Sequence, residues 1–233
     1  MVEEIDIDAY LRISPNKFGI YLLNTTNKTH LYNQELEIQN DVDVIDFNIL
    51  NNFLKDNVFK IEKLLGRFLK NIILIIDTNK IKRLFIGIKR KNFESKIGKQ
   101  FLENSLIDAK DLFKENYKDQ KILHMIIKRY FLNNKHYFSF EDVLQSDHIC
   151  LEIEFRSISE IYLLQINNIL EKYQIKIIRY IDGGYVKNYF HDDLEISDMT
   201  HKILTGYNEN EVTFISKNPK KLGFFERFFQ LFS

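Results

Sequence analysis

The chain has 233 residues, enough for one large domain or two small ones. Lysine plus arginine equal aspartate plus glutamate at 33 each, so no net charge draws it to nucleic acid or acidic substrates, and an anionic partner has to be met by a local patch. A single cysteine, Cys150, excludes an internal disulfide framework and fits a reducing compartment.

The acidic start, Met1 to Asp8, lacks the positive residues and apolar run of a signal peptide, so export is not expected. Ala9 to Ile13 and Phe18 to Leu23 flank the turn Ser14-Pro15-Asn16-Lys17 and read as a hairpin, which a third strand near Leu31 to Ile38 extends. Asp46 is a good N-cap for a helix over about 48–70, where Leu50, Phe53, Leu54, Val58, Ile61, Leu64, Leu65 and Phe68 recur at three-and-four spacing. Residues 71–77 form a continuous aliphatic run, the pattern of a strand buried on both faces, and complete a strand–helix–strand unit with an expected parallel pairing. Runs such as Ile72 to Ile76 are far short of the roughly 20 residues that span a bilayer.

A basic stretch follows, with Lys82, Arg83, Lys89, Arg90 and Lys91 around a strand near Leu84 to Ile88. A second amphipathic helix is expected over about 100–117, then long strands over 121–132 and 148–157. In the latter, Ile149, Leu151, Ile153 and Phe155 alternate with His148, Cys150, Glu152, Glu154 and Arg156, which predicts one buried and one wet face. A third helix over about 159–173 leads into a strand at 175–181 and a turn at Asp182-Gly183-Gly184. Residues 191–216 are polar and read as a tether. On a helix from Leu222, the residues Phe224, Phe225, Phe228, Phe229, Leu231 and Phe232 share one half of the circumference, with Lys217, Lys220 and Lys221 just before it and Arg227 on the polar side. A basic entry into a Phe-rich face suits a helix lying in a membrane interface, and equally a terminal helix docked on its own core.

No catalytic constellation stands out. Phosphate-loop, dinucleotide and nucleophile-elbow patterns are all missing. The six histidines, at 30, 124, 136, 148, 191 and 201, are scattered; His148 and Cys150 share one side of a strand but lack a second pair of metal ligands. No catalytic, cofactor-binding or metal residue is therefore expected. Adjacent Asp192 and Asp193 read as a solvated charge run.

Several local patterns, in the same order along the chain, resemble FtsA, the actin-like bacterial protein that tethers the cytokinetic ring to the inner membrane. Lys121 to His136 is similar to the FtsA strand reading Val-Leu-His-Val before an apolar stretch and a polar turn; Glu103-Asn104 and Ala109-Lys110 precede it at a similar spacing. The strand through Leu151 to Ser157 and the run Ile169 to Ile177 are similar to a later strand, helix and strand of that family. The resemblance implies a mixed α+β fold: a partial actin-like (ribonuclease H-like) subdomain, an inserted strand–helix–strand–strand subdomain of FtsA type, and a C-terminal amphipathic helix. It implies a first subdomain at 1–88, the insert at 89–176, a return at 177–191, a tether at 192–216 and a membrane-targeting helix at 217–233.

Where FtsA has a phosphate loop of the form acidic-Ile-Gly-Thr, this chain has Arg12, Ile13, Ser14 and Pro15, with Lys17 retained. Proline offers no amide hydrogen to a phosphate. After Asp182-Gly183-Gly184-Tyr185 the sequence runs almost directly to its tail, so a complete nucleotide cleft is not expected. The resemblance then implies a non-enzymatic cell-division adaptor without cofactor, peripheral on the cytoplasmic face of the inner membrane at the division site. It would insert Leu222, Phe224, Phe225, Phe228, Phe229 and Phe232, and set Lys217, Lys220, Lys221 and Arg227 against anionic headgroups. Its partners would be that lipid surface, other division proteins at 89–176 and further copies of itself, with no nucleic acid. The alternative is a soluble α+β interaction domain whose terminal helix docks on its own core or on a second copy.

Overall fold

Five consecutive aliphatic residues set the plan of the main sheet. Side chains alternate along a strand, so Ile72, Leu74 and Ile76 enter one apolar core while Ile73 and Ile75 enter another on the opposite face. The computed structural model describes residues 6–39, 44–92, 97–133, 135–139, 147–190 and 194–213. In chain order its elements are β1 (Ile7–Ser14), β2 (Lys17–Asn24), β3 (Thr29–Glu37), α1 (Phe47–Leu65), β4 (Asn71–Ile76), β5 (Lys82–Lys91), α2 (Lys99–Asn116), β6 (Gln120–Leu132), β7 (Lys135–Tyr137), β8 (His148–Ser159), α3 (Glu160–Glu171), β9 (Lys176–Asp182), α4 (Gly183–Tyr189) and α5 (Ile196–Leu204).

The main sheet has the order β3-β2-β1-β4-β9. β1, β2 and β3 pair antiparallel, whereas β1 with β4 and β4 with β9 pair parallel. This mixed order is that of an actin-like, ribonuclease H-like subdomain, and the chain as a whole is a mixed α+β protein. α1 and α3 supply Leu50, Phe53, Leu54, Val58, Leu163, Ile166 and Leu170 to the core on one face. α4 and α5 supply Tyr185, Val186, Ile196, Met199 and Ile203 to the other.

The second sheet has the order β5-β8-β6-β7 and is antiparallel throughout. α2 covers one face of it through Leu106, Ala109 and Phe113, which pack with Leu151, Ile153 and Phe155. In chain order this sheet and its helix run from Lys82 to Ser159. α3, within the span expected for the insert, belongs to the layers of the main sheet instead, because its apolar residues feed that core.

Three local expectations are corrected. α1 ends at Leu65, not Lys70, because Gly66 takes the left-handed conformation (φ 64°) that terminates a helix; Phe68 lies beyond the helix and is exposed. Asp182-Gly183-Gly184 is the start of α4, not a turn: the Asp182 carboxylate accepts the Tyr185 N–H at 3.1 Å. A Cβ on Gly183 would lie 3.1 Å from Asp77 and 3.2 Å from the Ile76 carbonyl oxygen, so glycine lets the helix start close against β4. Within the polar segment read as a tether, α5 is a packed helix. Its apolar Ile196, Met199 and Ile203 fall on one stripe, and the rest of its buried face is made of small or hydrogen-bonding residues, Ser197, Thr200 and His201. The N-cap at Asp46 stands as expected, accepting from Asn48 N at 2.8 Å and Ile49 N at 3.1 Å.

At Gly66 an added Cβ meets no atom within 4 Å, so Gly66→Ala carries only the backbone cost of a left-handed residue. The substitution is expected to lower stability by about 1 kcal/mol, read from urea unfolding at constant slope.

Candidate functional site

Because β1, β4 and β9 run parallel, their carboxyl ends come together at one end of the main sheet, where open α/β sheets place their ligand crevices. The β1–β2 turn contributes Ser14, Pro15 and Lys17; Asp77 follows β4, Asp182 ends β9, and Lys187 comes from α4. Asp77 is anchored by donating its N–H to the Ile13 carbonyl at 2.9 Å.

The charges at this end are spent on one another. Arg12 reaches Asp77 at 3.3 Å and Glu35 at 3.9 Å, and Lys187 pairs with the same Asp77 oxygen. Lys17 pairs with Glu35 at 2.9 Å and with Glu37 at 3.4 Å. Tyr21 donates its hydroxyl hydrogen to Glu35 at 2.5 Å. Burial works to raise the Glu35 carboxyl, but the Tyr21 and Lys17 hydrogen bonds and the Lys17 and Arg12 charges leave it below the usual carboxylate range. The hydrogen bond to Glu35 holds the Lys17 ammonium above its usual value. The Ser14 hydroxyl stays within its own turn, 2.9 Å from both the Asn16 side-chain oxygen and the Lys17 carbonyl. Arg12, Lys17 and Lys187 thus face Glu35, Glu37 and Asp77 in a closed set of equal and opposite charges.

Behind it lies a buried polar knot that joins the two sheets. Glu154 and Arg156 of β8, expected on a wet face, are buried because that end of the strand packs over β9 and α4. Glu154 Oε1 accepts from Arg83 Nε and from Arg156 Nε, each at 2.8 Å, and Lys128 stands 3.6 Å from Oε2. Arg156 Nη1 donates to Asp182 Oδ2 at 2.6 Å, while its guanidinium lies 5.0 Å from the centre of the Tyr185 ring. His124 of β6 accepts the Asp182 N–H on Nε2 at 2.9 Å. That nitrogen therefore carries no hydrogen, and in the neutral ring Nδ1 carries it, 2.7 Å from Glu211 Oε1. With both nitrogens committed, His124 has no lone pair to act as a base; it is a connector. Tyr185 donates to Glu211 Oε2 at 3.1 Å, and Asn208 donates to the Tyr185 hydroxyl oxygen at 2.6 Å. Burial first, then the Glu211 charge, pushes the Tyr185 phenol well above its usual range.

The same segment pairs with β6. Ile127 N donates to Asn210 O at 2.9 Å, Val212 N donates to Met125 O at 2.8 Å, and Ile126 and Glu211 form an antiparallel bridge. A second polar cluster pins α5. His201 lies 2.5 Å from Lys28 Nζ and 3.3 Å from the Tyr10 hydroxyl, and His30 lies 2.9 Å from the Ser197 hydroxyl. His124 and His201, 77 positions apart in the sequence numbering, carry no spacing signal that would have marked these roles. His148 is exposed and Cys150 half-buried, and no group of three or more potential metal ligands occurs among the described residues. No helix among the described residues is long and apolar enough to cross a membrane. The residues expected to meet lipid, Lys217, Lys220, Lys221, Leu222, Phe224, Phe225, Arg227, Phe228, Phe229 and Phe232, lie outside the described residues.

No family model matches the chain, and neither does any curated protein. Among solved structures it is similar to the cytoplasmic domain of EpsL, an inner-membrane component of the type II secretion system of Vibrio cholerae, at 5% identity and a TM-score of 0.40, covering 78% of this chain and 59% of that one. It is similar also to the PilM–PilN type IV pilus biogenesis complex (7% identity, TM-score 0.48, 78% of this chain and 49% of that one). A third likeness is to a Bacteroides thetaiotaomicron protein with an actin-like ATPase fold and unknown function (14% identity, TM-score 0.33, 81% of this chain and 58% of that one). The chain thus spans between 49% and 59% of the length of these structures. The actin-like character of the main sheet stands on its own strand order.

The knot makes a pH prediction. Burial alone would raise the Glu154 carboxyl; the Arg83 hydrogen bond and the charges of Arg156, Arg83 and Lys128 outweigh it, so the folded carboxyl titrates below the usual range. Its contribution is therefore complete above the ordinary glutamate range and disappears as pH falls through the lowered folded value. Glu154→Gln is expected to be less stable than the parent near neutral pH and to lose less stability on acidification. Urea midpoints across the acid range would show this as converging curves, and parallel curves would contradict it.

Proposed function

We propose that the chain is a non-enzymatic, FtsA-like adaptor, attached peripherally to the cytoplasmic face of the inner membrane at the division site through residues 217–233 and binding other division proteins through the span 89–176, which holds most of the second sheet. The observation that carries the non-enzymatic part is the carboxyl end of the main sheet. A nucleotide's phosphates need free backbone N–H groups or uncommitted cations. Here the turn places Pro15 where an amide would be wanted, and Arg12, Lys17 and Lys187 are already paired with Glu35, Glu37 and Asp77. A phosphate would have to break ion pairs that share Asp77, Lys17 and Glu35 and so support one another.

Membrane attachment is supported by the sequence of the last stretch. If about five phenylalanines each recover roughly 1 kcal/mol in the interface, the gross gain is about 5 kcal/mol, from which ordering the helix subtracts. Such an anchor is weak and reversible, so lasting attachment draws on several copies in one assembly. A second reading, in which the terminal stretch docks on the body of the protein, is favoured by one observation. Val212 and Thr213, which lead toward that stretch, line a cavity of about 170 Å³ together with Ile122, Leu123, Met125 and Arg179.

Co-sedimentation with anionic vesicles separates the two readings. The intact chain is expected to pellet with them, and removal of residues 222–233 to abolish it; equal pelleting by both forms would exclude the anchor. Titration calorimetry with ATP and magnesium is expected to give no saturable heat, and saturable, magnesium-dependent binding would overturn the non-enzymatic reading.

A further inference from the structure

β5 is the terminal strand of the second sheet, and among the described residues nothing pairs with its outer side. All ten of its residues stay in register with β8, from Lys82 opposite Ser157 to Lys91 opposite His148, without a bulge. Its outward main-chain groups therefore form a straight, regular row. None of its residues is buried; they alternate between exposed and half-buried. The main sheet's edges are less regular: the β2–β3 and β4–β9 pairings each contain a register shift, and β9 ends in buried Ile181 and Asp182.

Open edges are ordinarily blunted by bulges, prolines or charges placed within the strand. β5 has neither a bulge nor a proline, and its centre, Leu84-Phe-Ile-Gly-Ile88, is uncharged. The charges stand at its two ends and are all positive: Lys82 and Arg83 at one, Lys89, Arg90 and Lys91 at the other. Arg83 is committed to Glu154 and Arg90 to Asp108, but the side chains of Lys82 and Lys89 hold no hydrogen bond or ion pair with the described residues. Phe85 is half exposed, and the space above Gly87 is open. A row of unpaired main-chain donors and acceptors is matched by another backbone, which a lipid surface cannot offer, and cationic ends match acidic ends.

We propose that β5 is a strand-addition site for an extended segment of a partner protein with an apolar centre and acidic ends, pairing along Leu84–Ile88 and meeting Lys82 and Lys89 with its carboxylates. This rests on the reading of the second sheet as the partner-binding part and is independent of membrane attachment.

The test uses the intact chain and three labelled peptides of about ten residues, matched to the length of the strand. One has a Val/Ile centre with Asp and Glu ends, one the same centre with Lys ends, and one the acidic ends with prolines at alternate central positions. Only the first is expected to bind, more weakly as salt rises, and to slow hydrogen exchange of the β5 amides. Lys82→Glu with Lys89→Glu alters two exposed side chains, so its thermal melt should match the parent. It is expected to lose about tenfold in affinity for the acidic-ended peptide and to gain affinity for the Lys-ended one. Equal binding of the proline peptide, indifference to the charge reversal, or no binding at about 1 mM peptide would each overturn the site. So would saturable binding of a single-stranded oligonucleotide that is lost on the same charge reversal and displaces the peptide. If peptide binding fails while vesicle co-sedimentation persists, the adaptor reading survives and only the strand-addition site is lost.

Discussion

Asp182 is where the two sheets, α4 and the segment after α5 are held to one another. Its carboxylate accepts from Arg156 of the second sheet and from the amide that opens α4, while its own N–H donates to His124 of β6. His124 in turn contacts Glu211, which also accepts from Tyr185. Four parts of the chain converge on one residue at the end of β9, and nearly all the groups involved are buried. In a low-dielectric interior each partner removed leaves another unsatisfied, so such a network fixes relative position more sharply than apolar packing does. The two sheets meet across polar chemistry of definite geometry as well as apolar contact, since Leu123 and Ile158 of the second sheet enter one core of the main sheet and Ile126 enters the other.

The same end of the main sheet explains why an actin-like strand order need not carry actin-like chemistry. Strand direction places a crevice at the carboxyl ends of β1, β4 and β9, but whether a phosphate enters depends on which groups face it. Here the β1–β2 turn satisfies its own hydroxyl internally, and equal numbers of acids and bases cancel across β1, β2, β3, β4 and α4. The strand order is actin-like, and the charges at its carboxyl end are paired with one another.

The second sheet differs from the first in how it is covered. Helices lie on both faces of the main sheet, and its strand β4 is accordingly apolar on both sides from Ile72 to Ile76. The second sheet has α2 on one face, an alternating apolar and polar pattern in β8, and a long outer strand with every residue in contact with solvent.

Much of the frame was legible from the residues alone. The hairpin, the capped helix at Asp46, the aliphatic strand and its parallel pairing all follow from local physics: periodicity, capping and turn chemistry act over a few residues, and sequence displays them. The start of α4 at Asp182 and the helix at Ile196–Leu204 were hidden. Gly-Gly signals a turn unless a neighbouring strand needs the close approach, and Ser197 and His201 look solvated unless the main sheet supplies His30 and Tyr10 as partners. Likewise the contact of Arg156 with Asp182, the pairing of His124 with Asp182 and Glu211, and the mutual neutralisation of Arg12, Lys17 and Lys187 join residues from 18 to 110 positions apart. What sequence by itself determined is the elements up to β9, in outline, and the two-sided main sheet, because those depend on near neighbours. Which charges are buried, which are spent on one another and which edge stays open was decided only by tertiary structure, because it depends on what the fold brings across from elsewhere in the chain.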